Sequence, residues 1–144
     1  MKSRRRRVSR SAALLCSALA LTQADCGRRA FSAEVPAAEI LADIDANAAP
    51  LILDVRTPQE FAAGHVPGAR NISIAELPQR LAELASHRER EVVVYCERGP
   101  RAARAADLLA DAGFVGVRRL EGDMAGWREG VLPIDREPNA DDGK

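Results

Sequence analysis

The sequence predicts an α/β fold with a mostly parallel central sheet, and three observations carry that expectation. Short unbroken apolar runs, Leu51-Ile52-Leu53-Asp54-Val55 and Val92-Val93-Val94-Tyr95, have the character of strands buried on both faces. Stretches with apolar residues at helical spacing alternate with those runs. Between the second run and an alanine-rich helix lies the tight loop Cys96-Glu97-Arg98-Gly99-Pro100. Ligands of such sheets gather beyond the carboxyl ends of strands, which is where this loop falls.

In chain order, residues 25–35 show no period and read as a linker or short leading strand. Pro36 opens a helical pattern with Ile40, Leu41 and Ile44 on one stripe, and residues 47–50 end it. After the first apolar run, Thr57-Pro58-Gln59-Glu60 supplies an N-cap, a proline at the first helical position and a glutamate spaced for a capping box. Gly64 stops that helix early. Val66-Pro67-Gly68-Ala69 reads as a turn and residues 70–74 as a small strand. Leu77, Leu81 and Leu84 mark one amphipathic helix with Pro78 in its first turn. Glu91 introduces the second apolar run, residues 101–112 form the helix that Gly113 ends, and residues 115–120 make the last strand. Residues 135–144 are a polar tail without period.

Composition narrows the function classes. At 144 residues the chain suits one domain, and 47% hydrophobic residues are enough for a core. No apolar run approaches the roughly 18 residues of a spanning helix. Three cysteines are too few for a disulfide scaffold and too scattered for a paired zinc site. With 21 basic against 21 acidic residues and five aromatics, the whole chain does not read as a nucleic-acid binder.

The charge balance is nevertheless uneven. Lys2, Arg4, Arg5, Arg6, Arg7 and Arg10 precede the apolar stretch 12–21, and Thr22-Gln23-Ala24 follows with a small residue at each end. A basic region, a short apolar region and a small-x-small site make residues 1–24 a secretory signal, which places the mature protein in the periplasm or otherwise outside the cytoplasm. Ser3-Arg4-Arg5 leaves the choice between the general and the twin-arginine export routes open. Cys26 offers a lipoprotein alternative, but Asp25 beside it fits a lipobox poorly, so cleavage after Ala24 is the expectation. Without the leader, 15 basic and 21 acidic residues remain, and the domain is acidic.

Cys96 carries the candidate chemistry. It follows a buried strand and precedes a helix, where free backbone N–H groups favour negative charge and hence the nucleophilic thiolate. Arg98, Arg101 and Arg104 add positive charge. Such a loop can cradle an anion while its thiolate attacks an electrophilic atom of that anion. A buried structural cysteine is the competing reading.

Three stretches carry a family resemblance. Residues 54–72 (from Asp54-Val55-Arg56 through Gly64-His65-Val66-Pro67-Gly68-Ala69 to Asn71-Ile72) resemble the first signature of the rhodanese family. Val94-Tyr95-Cys96-Glu97-Arg98-Gly99-Pro100-Arg101 resembles its active-site loop, and Leu120-Glu121-Gly122-Asp123-Met124-Ala125-Gly126-Trp127 its closing motif. With the signal in front, the chain is most similar to the small single-domain periplasmic members. The resemblance implies a three-layer domain over residues 36–134, with a five-stranded sheet flanked by helices. It also implies thiosulfate sulfurtransferase activity through a Cys96 persulfide, with no cofactor. The partners would be a small anionic sulfur donor and cyanide or a thiol, a protein-borne acceptor included. Backbone N–H groups of Glu97, Arg98, Gly99 and Arg101 would bind the anion, Arg101 would steady the loop, and Asp54 and Arg56 would brace it from behind. His65 is expected in the scaffold, His87 on the surface and Trp127 in the core.

Related phosphatases and arsenate reductases use Cys-x5-Arg, whereas this chain has Cys-x4-Arg, with Ala102 one position later. The shorter ring favours sulfur over a tetrahedral oxyanion. A persulfide carrier or redox-sensing module without turnover remains the alternative. The chain departs from the family in Asp123, where a second glycine is frequent, in Ala102, where a serine is frequent, and in Glu97, an acid beside an anion site that suggests modest thiosulfate affinity or a cationic acceptor.

Overall fold

The computed structural model describes residues 34–137. The expected leader 1–24, Cys26 and the last seven residues of the tail lie outside the described residues. Eleven elements follow one another: β1 (Glu34–Val35), α1 (Ala37–Asp45), β2 (Leu51–Asp54), α2 (Pro58–Ala63), β3 (Arg70–Asn71), α3 (Leu77–Arg80), a 3-10 helix (Leu81–His87), β4 (Glu91–Tyr95), α4 (Pro100–Asp111), β5 (Gly116–Leu120) and α5 (Asp123–Glu129). The five strands form one sheet in the order β1-β5-β4-β2-β3, and every pairing is parallel. The anticipated α/β class and five-stranded sheet are therefore what the chain adopts.

Alternation along the strands sorts side chains into two layers of core. From β4, Val92 and Val94 join Leu53 of β2 and pack with Leu84 and with Ala102, Ala105, Ala106 and Leu109 of α4. Val93 and Tyr95 point the other way, joining Ile52, and pack with Ile40 of α1 and Met124 and Trp127 of α5. The alanine-rich face of α4 lets that helix lie close to the sheet. Cys96 continues the β4 alternation and falls in the α4 layer.

The N-terminus of α2 has the expected capping box: the Glu60 N–H donates to Thr57 Oγ1, and the Thr57 N–H donates to Glu60 Oε2 at 2.9 Å. Three local differences from the sequence expectation have physical causes. The segment expected as one helix on Leu77, Leu81 and Leu84 changes to 3-10 geometry at Leu81, where the apolar spacing tightens from four residues to three. The strand expected over 70–74 narrows to Arg70–Asn71, although Ile72 and Ile74 still donate to the Asp54 and Val55 carbonyls. Helix α5 was not anticipated, because Gly122 and Gly126 break up its apolar pattern. Asp135, first residue of the expected tail, exchanges both backbone hydrogen bonds with His65.

Trp127 fills the α1–α5 layer completely, and its indole N–H donates to the Pro133 carbonyl at 2.7 Å. Trp127→Ala is expected to cost about 3–5 kcal/mol through the cavity and the lost hydrogen bond. Urea unfolding measures this; a loss under about 1 kcal/mol would show that the layer closes over the gap.

Candidate active site

The site forms where β4 ends and α4 begins. Pro100 occupies the first turn of α4, where a missing N–H costs nothing and a fixed φ suits the helix. Gly99 before it takes φ +104°, a conformation open to glycine and rarely to other residues. That turn aims the Gly99 N–H at Cys96 Sγ, 3.1 Å away. The thiol is only 1% exposed, with the α4 apolar layer behind it and the first turn of a twelve-residue helix in front. Free amides at that turn make the front of the pocket favourable to anions.

Behind the loop, Asp54 and Arg56 form a buried pair. Arg56 Nη2 lies 2.6 Å from Asp54 Oδ2, Nε reaches both carboxylate oxygens, and the Arg56 backbone N–H also donates to Oδ1 at 2.9 Å. Arg56 Nη2 further donates to the Gly64 carbonyl at 2.8 Å, and Nη1 to Glu97 Oε2 at 3.3 Å. Burial opposes the Arg56 charge, but the hydrogen bond and charge of Asp54 outweigh it, with smaller help from Tyr95 and Glu97, and raise its pKa. One guanidinium thus joins the end of β2, the end of α2 and the loop.

Glu97 is not a free acid at the mouth. Arg128 of α5 grips it at 2.6 Å and 3.2 Å, and Arg56 takes the same carboxylate from inside. The Arg128 hydrogen bond is the chief reason its pKa lies below the ordinary glutamate value. The acid that sequence reading set against anion binding is therefore neutralised by two arginines.

Arg101 is also committed. Its two terminal nitrogens hold Glu60 Oε2 and Oε1 at 2.7 Å and 2.8 Å, the fork-on-fork geometry of a strong pair. That hydrogen bond chiefly lowers the Glu60 pKa from 4.5 to about 2. The nearby Cys96 adds in smaller measure to the raised Arg101 pKa that Glu60 principally causes. Arg98 and Arg104 are exposed, and among the described residues no ion pair engages them.

The structure thus brings Cys96, Glu97, Gly99, Arg101, Asp54 and Arg56 together and leaves Arg98 at the exposed rim. His65 lies in the scaffold: its ring stacks on Phe61 at 3.6 Å, and Nδ1 pairs with the Phe61 carbonyl. Sequence reading missed three participants. Glu60 was visible only as a helix cap, Arg128 carried no motif, and Asp123 was noted as a departure without a partner. Asp123 is in fact buried under the loop, and its Oδ1 accepts the Cys96 N–H at 2.8 Å. Met124 and Ala125 then donate to the Cys96 and Glu97 carbonyls, stitching α5 to the loop. Among the described residues, no group of three or more His, Cys, Asp or Glu is placed to hold a metal ion, and no helix is long and apolar enough to cross a membrane.

Comparison with known proteins agrees with this architecture. The rhodanese-like domain model matches residues 36–130. A thiosulfate sulfurtransferase from Stutzerimonas stutzeri is 35% identical over 91 residues, 63% of this chain and 81% of that protein. A helix-turn-helix type transcriptional regulator from Mycobacterium tuberculosis is 46% identical over 86 residues, 58% of this chain; the chain spans only 37% of the regulator's length. Among solved structures, a rhodanese-related protein from Thermoplasma volcanium superposes with a TM-score of 0.63 at 31% identity, covering 72% of this chain and 98% of that one.

The Glu60–Arg101 pair generates a pH-dependent expectation. Because the folded carboxyl titrates near 2, below its ordinary 4.5, its contribution is complete above about pH 4.5 and disappears as pH falls through about 2. Both side chains are one-third exposed, so the contribution at neutral pH is about 1 kcal/mol or less. Unfolding of wild type and Glu60→Gln across this range should show a gap that closes on acidification. A gap independent of pH would show that the Glu60 charge does not contribute.

Proposed function

The chain belongs to the rhodanese-like domain family, and from that premise we propose an exported thiosulfate sulfurtransferase that works through a persulfide on Cys96. The observation that carries the reading is the Gly99 N–H aimed at Cys96 Sγ at the head of α4. A thiolate there is stabilised by a fixed amide, and the neighbouring free amides suit the oxygens of an attached anion. The Stutzerimonas relative supports thiosulfate as donor, since this chain covers most of its length.

In the first half-reaction, the Cys96 thiolate attacks the outer sulfur of thiosulfate. The sulfur–sulfur bond of the donor breaks, its electron pair leaves with sulfite, and Cys96 keeps the sulfur as a persulfide. In the second, cyanide or a thiol attacks that outer sulfur, and the pair returns to Cys96 Sγ. Amides of Glu97, Arg98, Gly99 and Arg101 serve the departing sulfite as an anion hole. Arg101, oriented by Glu60, steadies the loop and the negative charge. The four residues between Cys96 and Arg101 enclose a ring sized for sulfur, which supports this reading over phosphoryl or arsenate chemistry. Export rests on the basic and apolar composition of residues 1–24.

Wild type is expected to release sulfite and form thiocyanate from thiosulfate and cyanide, and Cys96→Ser to fall to background. Residual turnover in Cys96→Ser would sink the mechanism. Intact-mass analysis of exported protein before and after thiosulfate should show a chain starting at Asp25 and then one added sulfur atom. A retained leader would refute the processing site.

A further inference from the structure

Asp123 combines features that a loop brace alone does not require. Its Oδ1 accepts the Cys96 N–H at 2.8 Å, which an asparagine could equally do. Its Oδ2 turns towards the loop and lies 3.4 Å from the point where a side chain on Gly99 would begin. Gly99 is the residue whose N–H reaches Sγ at 3.1 Å, so the carboxyl lies against the residue that supplies this amide. The residue also holds φ +53°, a left-handed conformation that aspartate adopts more readily than most side chains, which lets the acid stand at this turn. An ionised carboxylate facing a pocket built for anions is electrostatically adverse, and it stays only 8% exposed.

We propose that Asp123 is the proton acceptor of this site and that it adapts the persulfide of Cys96 to a thiol as sulfur acceptor. The inference rests on the sulfurtransferase reading above. The Asp123 carboxylate takes the proton of the incoming thiol, whose sulfur attacks the outer sulfur of the persulfide. The bond between that sulfur and Sγ breaks, and its electron pair restores the Cys96 thiolate. The new persulfide anion recovers the proton from Asp123 and departs as a neutral hydropersulfide. Overall, a Cys96 persulfide anion and a thiol become a Cys96 thiolate and a hydropersulfide, so charge, protons and electrons balance without an added oxidant or reductant.

Electrostatics supports the assignment. Burial is the largest influence on the Asp123 carboxyl and raises its pKa, while hydrogen bonds from Cys96 and the charge of Arg119 on β5 oppose the rise and Glu34 on β1 adds to it. A carboxylate of raised basicity is better matched to a thiol than an ordinary surface aspartate. By contrast, sulfite in its dianionic form brings no proton and meets Asp123 only as a like charge.

The test is a single-turnover discharge. Protein is loaded with thiosulfate, freed of excess donor and mixed with either 2-mercaptoethanol or sulfite while the persulfide mass is followed. Near neutral pH, Asp123→Asn should discharge to the thiol on the order of a hundredfold more slowly than wild type. To sulfite at mildly alkaline pH it should discharge as fast or faster. The thiol deficit should narrow as pH approaches the pKa of the thiol itself, where solution supplies thiolate directly. Asn keeps an oxygen for the Cys96 N–H and tolerates positive φ, so folding is retained. Asp123→Gly, which removes the backbone strain, should show the same split between acceptors. Equal slowing with both acceptors, or no slowing with the thiol, overturns the proposal and leaves Asp123 as a brace. Failure of wild type to take up sulfur removes the sulfurtransferase reading and this inference together, and so is distinguishable from failure of the Asp123 role alone.

Discussion

The arrangement of this domain depends on a charge placed where water does not reach. Arg56 is 1% exposed, and its partner Asp54 is wholly buried at the carboxyl end of a central strand. An isolated guanidinium in that position would be prohibitive, and even a good pair recovers its desolvation only when the remaining donors are satisfied. Here Asp54, the Gly64 carbonyl and Glu97 between them engage every nitrogen of the guanidinium. These partners lie on β2, after α2 and in the cysteine loop. The polar requirement of one side chain therefore fixes the spacing of three segments that are distant in sequence. Apolar packing alone is not directional enough to do so.

That bracing changes what the loop would offer an anion in the proposed reaction. Counting arginines near Cys96 suggests a strongly positive pocket, but Arg56, Arg101 and Arg128 each hold a carboxylate. Their contribution is orientation. Glu60 sets the Arg101 fork, and Arg128 with Arg56 holds Glu97 away from the role of a repelling acid. Besides Arg98 at the exposed rim, the loop offers an anion a cluster of backbone amides whose direction the Gly99 turn and the Pro100 start of α4 determine. Amides placed in advance need no reorganisation when charge moves from thiolate to departing group, whereas mobile surface arginines would.

Much of this was legible in the sequence, for definite reasons. Val92-Val93-Val94-Tyr95 and the helix beginning at Pro100 announce themselves by composition and period, and Cys96 is located by lying between them. The Thr57–Glu60 cap was legible because its partners are three residues apart. Asp54, Arg56 and Cys96 share one site because β2 and β4 pair in parallel, with Asp54 opposite Tyr95, a register that the strand pattern does not state. Glu60 with Arg101 and Glu97 with Arg128 are separated by 41 and 31 residues, and no local rule joins them. Helix α5 was hidden for a different reason. Its two glycines weaken the local propensity, and the helix exists because Met124 and Trp127 gain burial and because its first amides bind the loop carbonyls.

The same dependence on tertiary structure explains how a buried thiol can still serve the proposed reaction. Cys96 continues the inward alternation of β4, so the apolar layer surrounds it from behind. Bulk water is a poor ligand for a group at 1% exposure, and the fixed Gly99 N–H takes its place. Under the proposed reaction, burial in this geometry would protect the thiol between turnovers. Asp123 lies against Gly99 and the Cys96 amide, which is why the proposed acceptor preference is assigned to that position.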